Sequence, residues 1–206
     1  MRAPPPQTRE PIQYPPSTTH RLECGVIRAA VIAIALAVVP VAPGAQTRLA
    51  PYVATPLDVV ERMLTLARVG PDDLVYDLGC GDGRVVIMAV QKFGARGVGV
   101  DIEPTLIEQA IANAKSADVA DRVTFRVQDA LTVDVSPATV VTLYLLASAN
   151  ARLRPTLMQQ LRPGSRIVSH NFPIGDWEPD VVDNFTDLGG RRRTLYLWSV
   201  SNPKSR

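Results

Sequence analysis

Leu74-Val75-Tyr76-Asp77-Leu78-Gly79-Cys80-Gly81-Asp82-Gly83-Arg84 is the stretch whose reading decides the fold. A short apolar strand runs into an aspartate, glycines follow at alternate positions, and a strongly apolar helical run begins at Arg84. Glycine lets the backbone turn sharply and approach a ligand closely, so Gly79, Gly81 and Gly83 predict a strand-to-helix turn built around a cofactor. Many nucleotide sites share that device, and the surrounding charge is more discriminating. Asp77 and Asp82 flank the loop, so a pyrophosphate there would meet two carboxylates. A ligand carrying an ammonium and a sulfonium would be attracted instead.

Working outward, Thr55-Pro56-Leu57-Asp58 reads as a helix start, with Thr55 as cap and Pro56 in the first helical position. Leu57, Val60, Leu64 and Ala67 continue it at helical spacing. Leu74–Asp77 is the first strand, and Val85–Val90 is apolar all round, as a helix buried against a sheet should be. Gly97–Val100 is a second strand ending at Asp101. A helix from Pro104 follows, with Leu106, Ile107, Ala110, Ile111 and Ala114 on one face. Val123–Val127 is a third strand, Val140–Leu146 a fourth and Arg166–His170 a fifth. Between the last two, Leu153, Leu157 and Leu161 mark a helix interrupted or begun at Pro155. Strands alternating with helices predict a Rossmann-like, doubly wound α/β fold with a mostly parallel sheet. After the fifth strand, residues 172–180 are too rich in Pro and Gly for a helix. Two further strands, near Val181–Leu188 and Thr194–Val200, make seven in all and close the sheet with a β-hairpin.

The bulk composition narrows the classes. The chain has 206 residues, 46% of them hydrophobic, enough for one medium domain with a real core. Four of the 22 basic and two of the 20 acidic residues precede position 46, leaving 18 of each beyond it. So balanced a domain lacks the footprint of non-specific nucleic-acid binding, and no nucleic-acid partner is expected. Cys24 and Cys80 cannot make a disulfide framework or a zinc site, and no metal is expected.

The N-terminal part is different in kind. Residues 1–25 hold six prolines and few large apolar groups, the composition of a disordered segment. Ala29–Ala45 then runs seventeen residues without a charge, with Arg28 before it and small residues at its end. Residues 26–45 are therefore read as a signal peptide or a membrane anchor, which would make the protein exported or membrane-associated, and cytosolic if the segment is not used. Initiation at Val26 would leave 1–25 untranslated. On either reading the catalytic domain is 46–206.

Four pieces in order carry a family resemblance: Val75–Gly83, Gly99-Val100-Asp101, Gln128-Asp129-Ala130 and Leu161-Arg162-Pro163-Gly164. The chain resembles the class I S-adenosylmethionine-dependent methyltransferases, which also end their sheet in a hairpin. Within that class, Pro51–Pro56 and the segment from Phe172 through Trp177 to Asp180 resemble the small mitochondrial protein-lysine methyltransferases. Those act on the adenine nucleotide translocase and the ATP synthase c subunit. The resemblance implies S-adenosyl-L-methionine as cofactor. Asp77 and the glycine loop would hold its methionine portion, Asp101 the ribose diol and Asp129 the adenine amino group, with Ile102 and Ala130 as apolar walls. The implied acceptor is a protein lysine, with a small molecule as the alternative. Tyr144 and Trp177 are the candidates to line a lysine channel, and Asp176 or Asp180 to guide the ammonium.

Methyl transfer from a sulfonium is an in-line displacement that alignment can accelerate without an acid–base pair. The end of the fourth strand, Leu143–Ser148, lacks the Asn/Asp-Pro-Pro-aromatic motif of amide and nucleobase-amino methyltransferases. Two other classes compete. A nucleotide-binding oxidoreductase is opposed by the loop aspartates and by Arg84, where Gly-x-Gly-x-x-Gly needs its third glycine. A non-catalytic binding module would bind cofactor without turnover. Arg191-Arg192-Arg193 is expected to be a solvated turn.

Overall fold

A computed structural model describes residues 52–201; the expectations for 1–25 and 26–45 lie outside these residues. Helix α1 (Leu57–Leu66) precedes β1 (Leu74–Leu78), α2 (Arg84–Phe93), β2 (Arg96–Asp101), α3 (Pro104–Ser116) and β3 (Val123–Val127). A 3₁₀ turn (Ala130–Thr132), β4 (Val140–Leu143), α4 (Ala147–Gln160), β5 (Arg166–His170), β6 (Val181–Thr186) and β7 (Arg192–Ser199) complete it. The sheet has seven strands in the order β3-β2-β1-β4-β5-β7-β6. β7 is antiparallel to both β5 and β6, while the pairs among β1 to β5 are parallel. This is the expected Rossmann-like sheet with a terminal hairpin. Chain order reverses between β1 and β4, and a crevice opens beyond the carboxyl ends of those strands.

Both faces are covered, so the central strands read as continuous apolar runs. On one face α1 and α2 bury Val59, Val60, Met63, Leu64, Val85, Val86 and Ala89 against Val75, Val140 and Val168. On the other, α4 packs Leu153 and Leu157 over Tyr76, Val141, Leu143 and Ile167. That second cluster ends in Trp198, 1% exposed, whose indole Nε1–H donates to the Trp177 carbonyl at 2.9 Å. No helix among the described residues is long and apolar enough to cross a membrane.

Several local expectations change. Helix α4 begins at Ala147 and carries Pro155 inside it. Burial of Ala149, Asn150, Leu153 and Leu157 along one face offsets the backbone bond that proline cannot make. Thr55 does not cap α1: the N-cap is Pro56 and no side chain caps that end. The Asp58 carboxylate instead accepts from Leu188 N–H at 2.7 Å, fastening the hairpin tip to the start of α1. Leu57 is 58% exposed and outside the core. Arg193 is not solvated either, because its guanidinium meets the buried Asp187 carboxylate at 2.7 Å. Arg191 and Arg192 are exposed as expected.

Trp198→Ala removes the largest fully buried side chain and should cost about 3–5 kcal/mol of unfolding free energy, read from the shift in urea midpoint at unchanged m-value.

Candidate active site

A cavity opens at the carboxyl ends of β1, β2 and β4. Its walls include Asp77, Gly79, Asp101, Ile102, Ala130 and Tyr144, which sequence reading had placed in one site. The glycine loop forms its floor. Gly79 and Cys80 both donate backbone N–H to the Val100 carbonyl at 2.9 Å, tying the loop to β2. Gly81 has φ +52°, and a Cβ there would stand 2.3 Å from the Tyr52 ring, so only glycine fits. Gly83, at φ +80°, sends the chain directly into α2.

Asp101 is fixed through both oxygens, accepting from Gly81 N–H at 3.0 Å and from Glu103 N–H at 3.0 Å. A carboxylate oxygen has two lone pairs, so each can still accept one hydroxyl of a diol. Asp77 is 5% exposed, and its Oδ1 accepts from Thr142 Oγ1 at 2.6 Å. Burial pushes its carboxyl up to about 7 against the Thr142 bond, with Asp101 and Asp82 adding repulsion. An ammonium beside Asp77 would restore its charged form, so the cavity fits a ligand with a positive end at β1 and a diol at β2.

Asp82 corrects the idea of two free carboxylates at the loop. Arg84 grips it, Nη2 at 2.6 Å and Nε at 2.9 Å. Burial raises the Asp82 carboxyl, but the guanidinium outweighs it and the net shift is downward. Asp82 and Arg84 thus meet the cavity as a neutralised pair, and Asp77, Asp101 and Glu103 are the other acidic groups on its wall. Burial pushes the Cys80 thiol far above its ordinary range, so it stays protonated and inert.

Residues 52–55 were not among the expected site residues, yet Tyr52, Val53, Ala54 and Thr55 all line the cavity. Arg84 Nη1 donates to the Thr55 carbonyl at 2.9 Å, so the guanidinium that neutralises Asp82 also straps this segment over the glycine loop. Thr55 Oγ1 lies 3.4 Å from His170 Nδ1. The His170 ring in turn stacks on Tyr144, with centroids 4.0 Å apart. Burial and the nearby Arg193 hold His170 down to about 4 despite Asp187, so it is neutral at physiological pH. On the opposite face, buried Asn150 donates from Nδ2 to Ser169 Oγ at 3.2 Å and to the Phe172 carbonyl at 3.1 Å. That bond shapes the 171–180 connection.

The remaining candidates fall elsewhere. Gly81 and Gly83 act through backbone geometry and do not face the cavity. Asp129 turns away: its Oδ1 accepts from Leu131 N–H at 2.9 Å, while its neighbours Gln128 and Ala130 reach the cavity wall. Trp177 is buried in the core against Trp198, 6.1 Å between centroids, and lies outside the cavity wall. Asp176 is engaged by Arg154, and Asp180 accepts from Ser199 N–H at 2.5 Å. Leu106, Met63 and Leu145 also line the cavity. Their apolar spacing looked like ordinary core.

The fold and this crevice define a class I S-adenosyl-L-methionine-dependent methyltransferase. The family model described as the ANTKMT methyltransferase domain matches residues 77–181, and the chain belongs to that family. A protein-lysine N-methyltransferase of Saccharolobus islandicus (strain REY15A) is 44% identical over 155 residues, covering 75% of this chain and 96% of that protein. The adenine nucleotide translocase lysine N-methyltransferase of Mus musculus is 33% identical over 132 residues, 64% of this chain and 57% of its own. A crystal structure described as an RNA methyltransferase from Salinibacter ruber, in complex with S-adenosyl-L-homocysteine, superposes with a TM-score of 0.68. It is 53% identical and covers 73% of this chain and 95% of its own.

Asp77 yields a prediction with a definite sign. A carboxyl raised from 3.8 to about 7 in the native state binds its proton more tightly folded than unfolded. Its stabilising contribution is complete below the unfolded value and is lost as pH rises through about 7. A rise of that size corresponds to about 4 kcal/mol withheld above pH 7. Asp77→Asn should therefore raise the ligand-free Tm at pH 8, on the order of 10 °C, and raise it little at pH 4. The same variant should lose S-adenosylhomocysteine binding by calorimetry. A Tm unchanged at pH 8 would contradict the burial argument.

Proposed function

We propose that the protein transfers a methyl group from S-adenosyl-L-methionine to the ε-nitrogen of a lysine in a protein. The observation that carries this reading is the 44% identity to a protein-lysine N-methyltransferase over 96% of that relative's length. The cofactor supplies an electrophilic methyl on a positively charged sulfur. Asp77 balances the ammonium of its methionine end, and backbone N–H groups of the glycine loop meet its carboxylate. Asp101 accepts from the ribose hydroxyls, with Ile102 and Ala130 flanking the adenine. Asp129 is engaged in its own turn, which leaves the adenine amino group to the neighbouring Gln128 on the cavity wall.

Tyr144, at the end of β4, forms the wall past which the acceptor approaches. The lysine nitrogen must arrive neutral; its lone pair forms the N–CH₃ bond as the S–CH₃ electrons return to sulfur. The methylated ammonium then gives a proton to solvent. Alignment along the cavity supplies the acceleration, with no demand for an acid–base pair.

An RNA acceptor is the second reading, favoured by the 53% identical structure described as an RNA methyltransferase. One assay separates the two. The full-length protein is incubated with methyl-tritiated cofactor and a cell lysate, and the labelled product is treated with protease or with ribonuclease. Label released by protease and recovered as methyl-lysine after acid hydrolysis is the expected result; label released by ribonuclease would replace lysine with RNA. Asp101→Ala should lower labelling at least about a hundredfold by misplacing the donor. Arg192→Ala, on the exposed hairpin, should leave it unchanged. Equal loss in both would count against the assignment of Asp101.

A further inference from the structure

We propose that His170 is the positioning residue of the acceptor wall, holding the Tyr144 ring in place and linking it through Thr55 to the cofactor loop. The inference rests on Tyr144 forming that wall. His170 is fully buried, and its Nε2 is among the few buried side-chain atoms of the described residues with no hydrogen-bond partner. A leucine or phenylalanine would fill this place without burying an unpaired nitrogen, so packing alone does not account for a histidine. What the imidazole adds is an Nδ1 that meets Thr55 Oγ1 at 3.4 Å while the ring face lies on Tyr144 at 4.0 Å. The hydrogen bond sets the rotation of the imidazole, and the stack passes that orientation to the phenol ring.

The surroundings keep both contacts in register. Asn171, directly after His170, takes φ +62°, rare for a residue with a side chain. It is clamped to β7, donating its N–H to the Thr194 carbonyl at 2.7 Å and accepting from Thr194 N–H at 3.1 Å. The carbonyl of Thr55 is held by Arg84, which is paired with Asp82 in the cofactor loop. A continuous chain of contacts thus runs from Asp82 through Arg84, Thr55 and His170 to Tyr144. It anchors the acceptor wall on the glycine loop, whose own bonds to Val100 and Asp101 do not pass through His170.

A double-mutant cycle on the full-length protein tests this. Methyl transfer at saturating tritiated cofactor is measured against dilutions of the lysate fraction that takes the label, and S-adenosylhomocysteine affinity is measured by calorimetry. His170→Asn and Tyr144→Leu should each lower the labelling rate at limiting acceptor about tenfold. S-adenosylhomocysteine affinity should stay within about threefold of wild type, since Asp77 and Asp101 are untouched. Because His170 acts through Tyr144, the double variant should be no worse than Tyr144→Leu alone. Losses that multiply, affinity that falls as far as labelling, or a silent His170→Asn would each overturn the proposal.

If His170→Asn does not fold, long-range ¹H–¹⁵N spectra decide, because the chain has only two histidines. Tyr144→Leu should then shift the ring signals of the neutral imidazole, and unchanged signals overturn the proposal. If the label ends on a group other than lysine, the lysine assignment fails while the cycle is read on that acceptor in the same way.

Discussion

At the centre of the sheet, where chain order reverses between β1 and β4, the side chains of Asp77 and Thr142 face each other in register and bond at 2.6 Å. One hydroxyl is a small compensation for a carboxyl taken almost wholly out of water, and the carboxyl stays reluctant to ionise. The strands on either side cannot relieve it. Both faces of β1 are covered by helices, and the repulsion from Asp101 and Asp82 adds to the burial. The fold therefore holds an unfulfilled preference for a cation at the crevice where an open α/β sheet accepts its ligand. The site's cofactor chemistry grows from that strained carboxyl, and the glycine loop gives the ligand room to reach it.

Legibility from the sequence followed distance along the chain. The glycine loop, the strand-ending aspartates and the hairpin are local patterns, each set by a few neighbouring residues. The seven strands were placed from such patterns, and the cavity joins Asp77, Asp101, Ile102, Ala130 and Tyr144 as their positions at strand ends required. What escaped depends on partners far away in sequence. Thr55 has the look of a helix cap, but its hydroxyl turns to a histidine 115 residues later. Asp82 looks like a ligand-facing carboxylate until Arg84 folds back upon it. Trp177 lies beyond a strand end, where an acceptor could have met it, but the indole of Trp198 draws it into the core. In each case a tertiary contact overrode a sound local expectation.

Arg84 shows how one side chain can serve two needs. Its guanidinium is bidentate on Asp82, Nε to Oδ1 and Nη2 to Oδ2, and still has Nη1 left for the Thr55 carbonyl. A lysine could neutralise Asp82 as a point charge but lacks the planar fork to hold both groups at once. With Tyr52 lying against Gly81, the strap has an apolar contact at one end and a charge-assisted bond at the other. Residues 52–55 thereby become part of the donor site, a role that their family-like motif does not by itself assign.

The connections that carry no full helix bear on what can enter. Between β3 and β4 there is a single 3₁₀ turn, and between β5 and β6 an irregular segment shaped by Asn150 and Ser169. Neither forms a lid of regular structure over the mouth of the cavity. Tyr52 and Val53 instead remain 46% and 59% exposed on the cavity wall that Tyr144 and Leu145 also line. An enzyme for a small metabolite gains by enclosing it, since closure excludes water and fixes both reactants. A mouth rimmed by exposed apolar side chains gains more from an acceptor that brings its own covering surface. A lysine presented by a folded protein would do this, its long apolar stem lying beside Tyr144 while the surrounding surface covers the rim. An extended RNA would instead meet Asp101 and Glu103 on the cavity wall, carboxylates that repel a phosphate backbone.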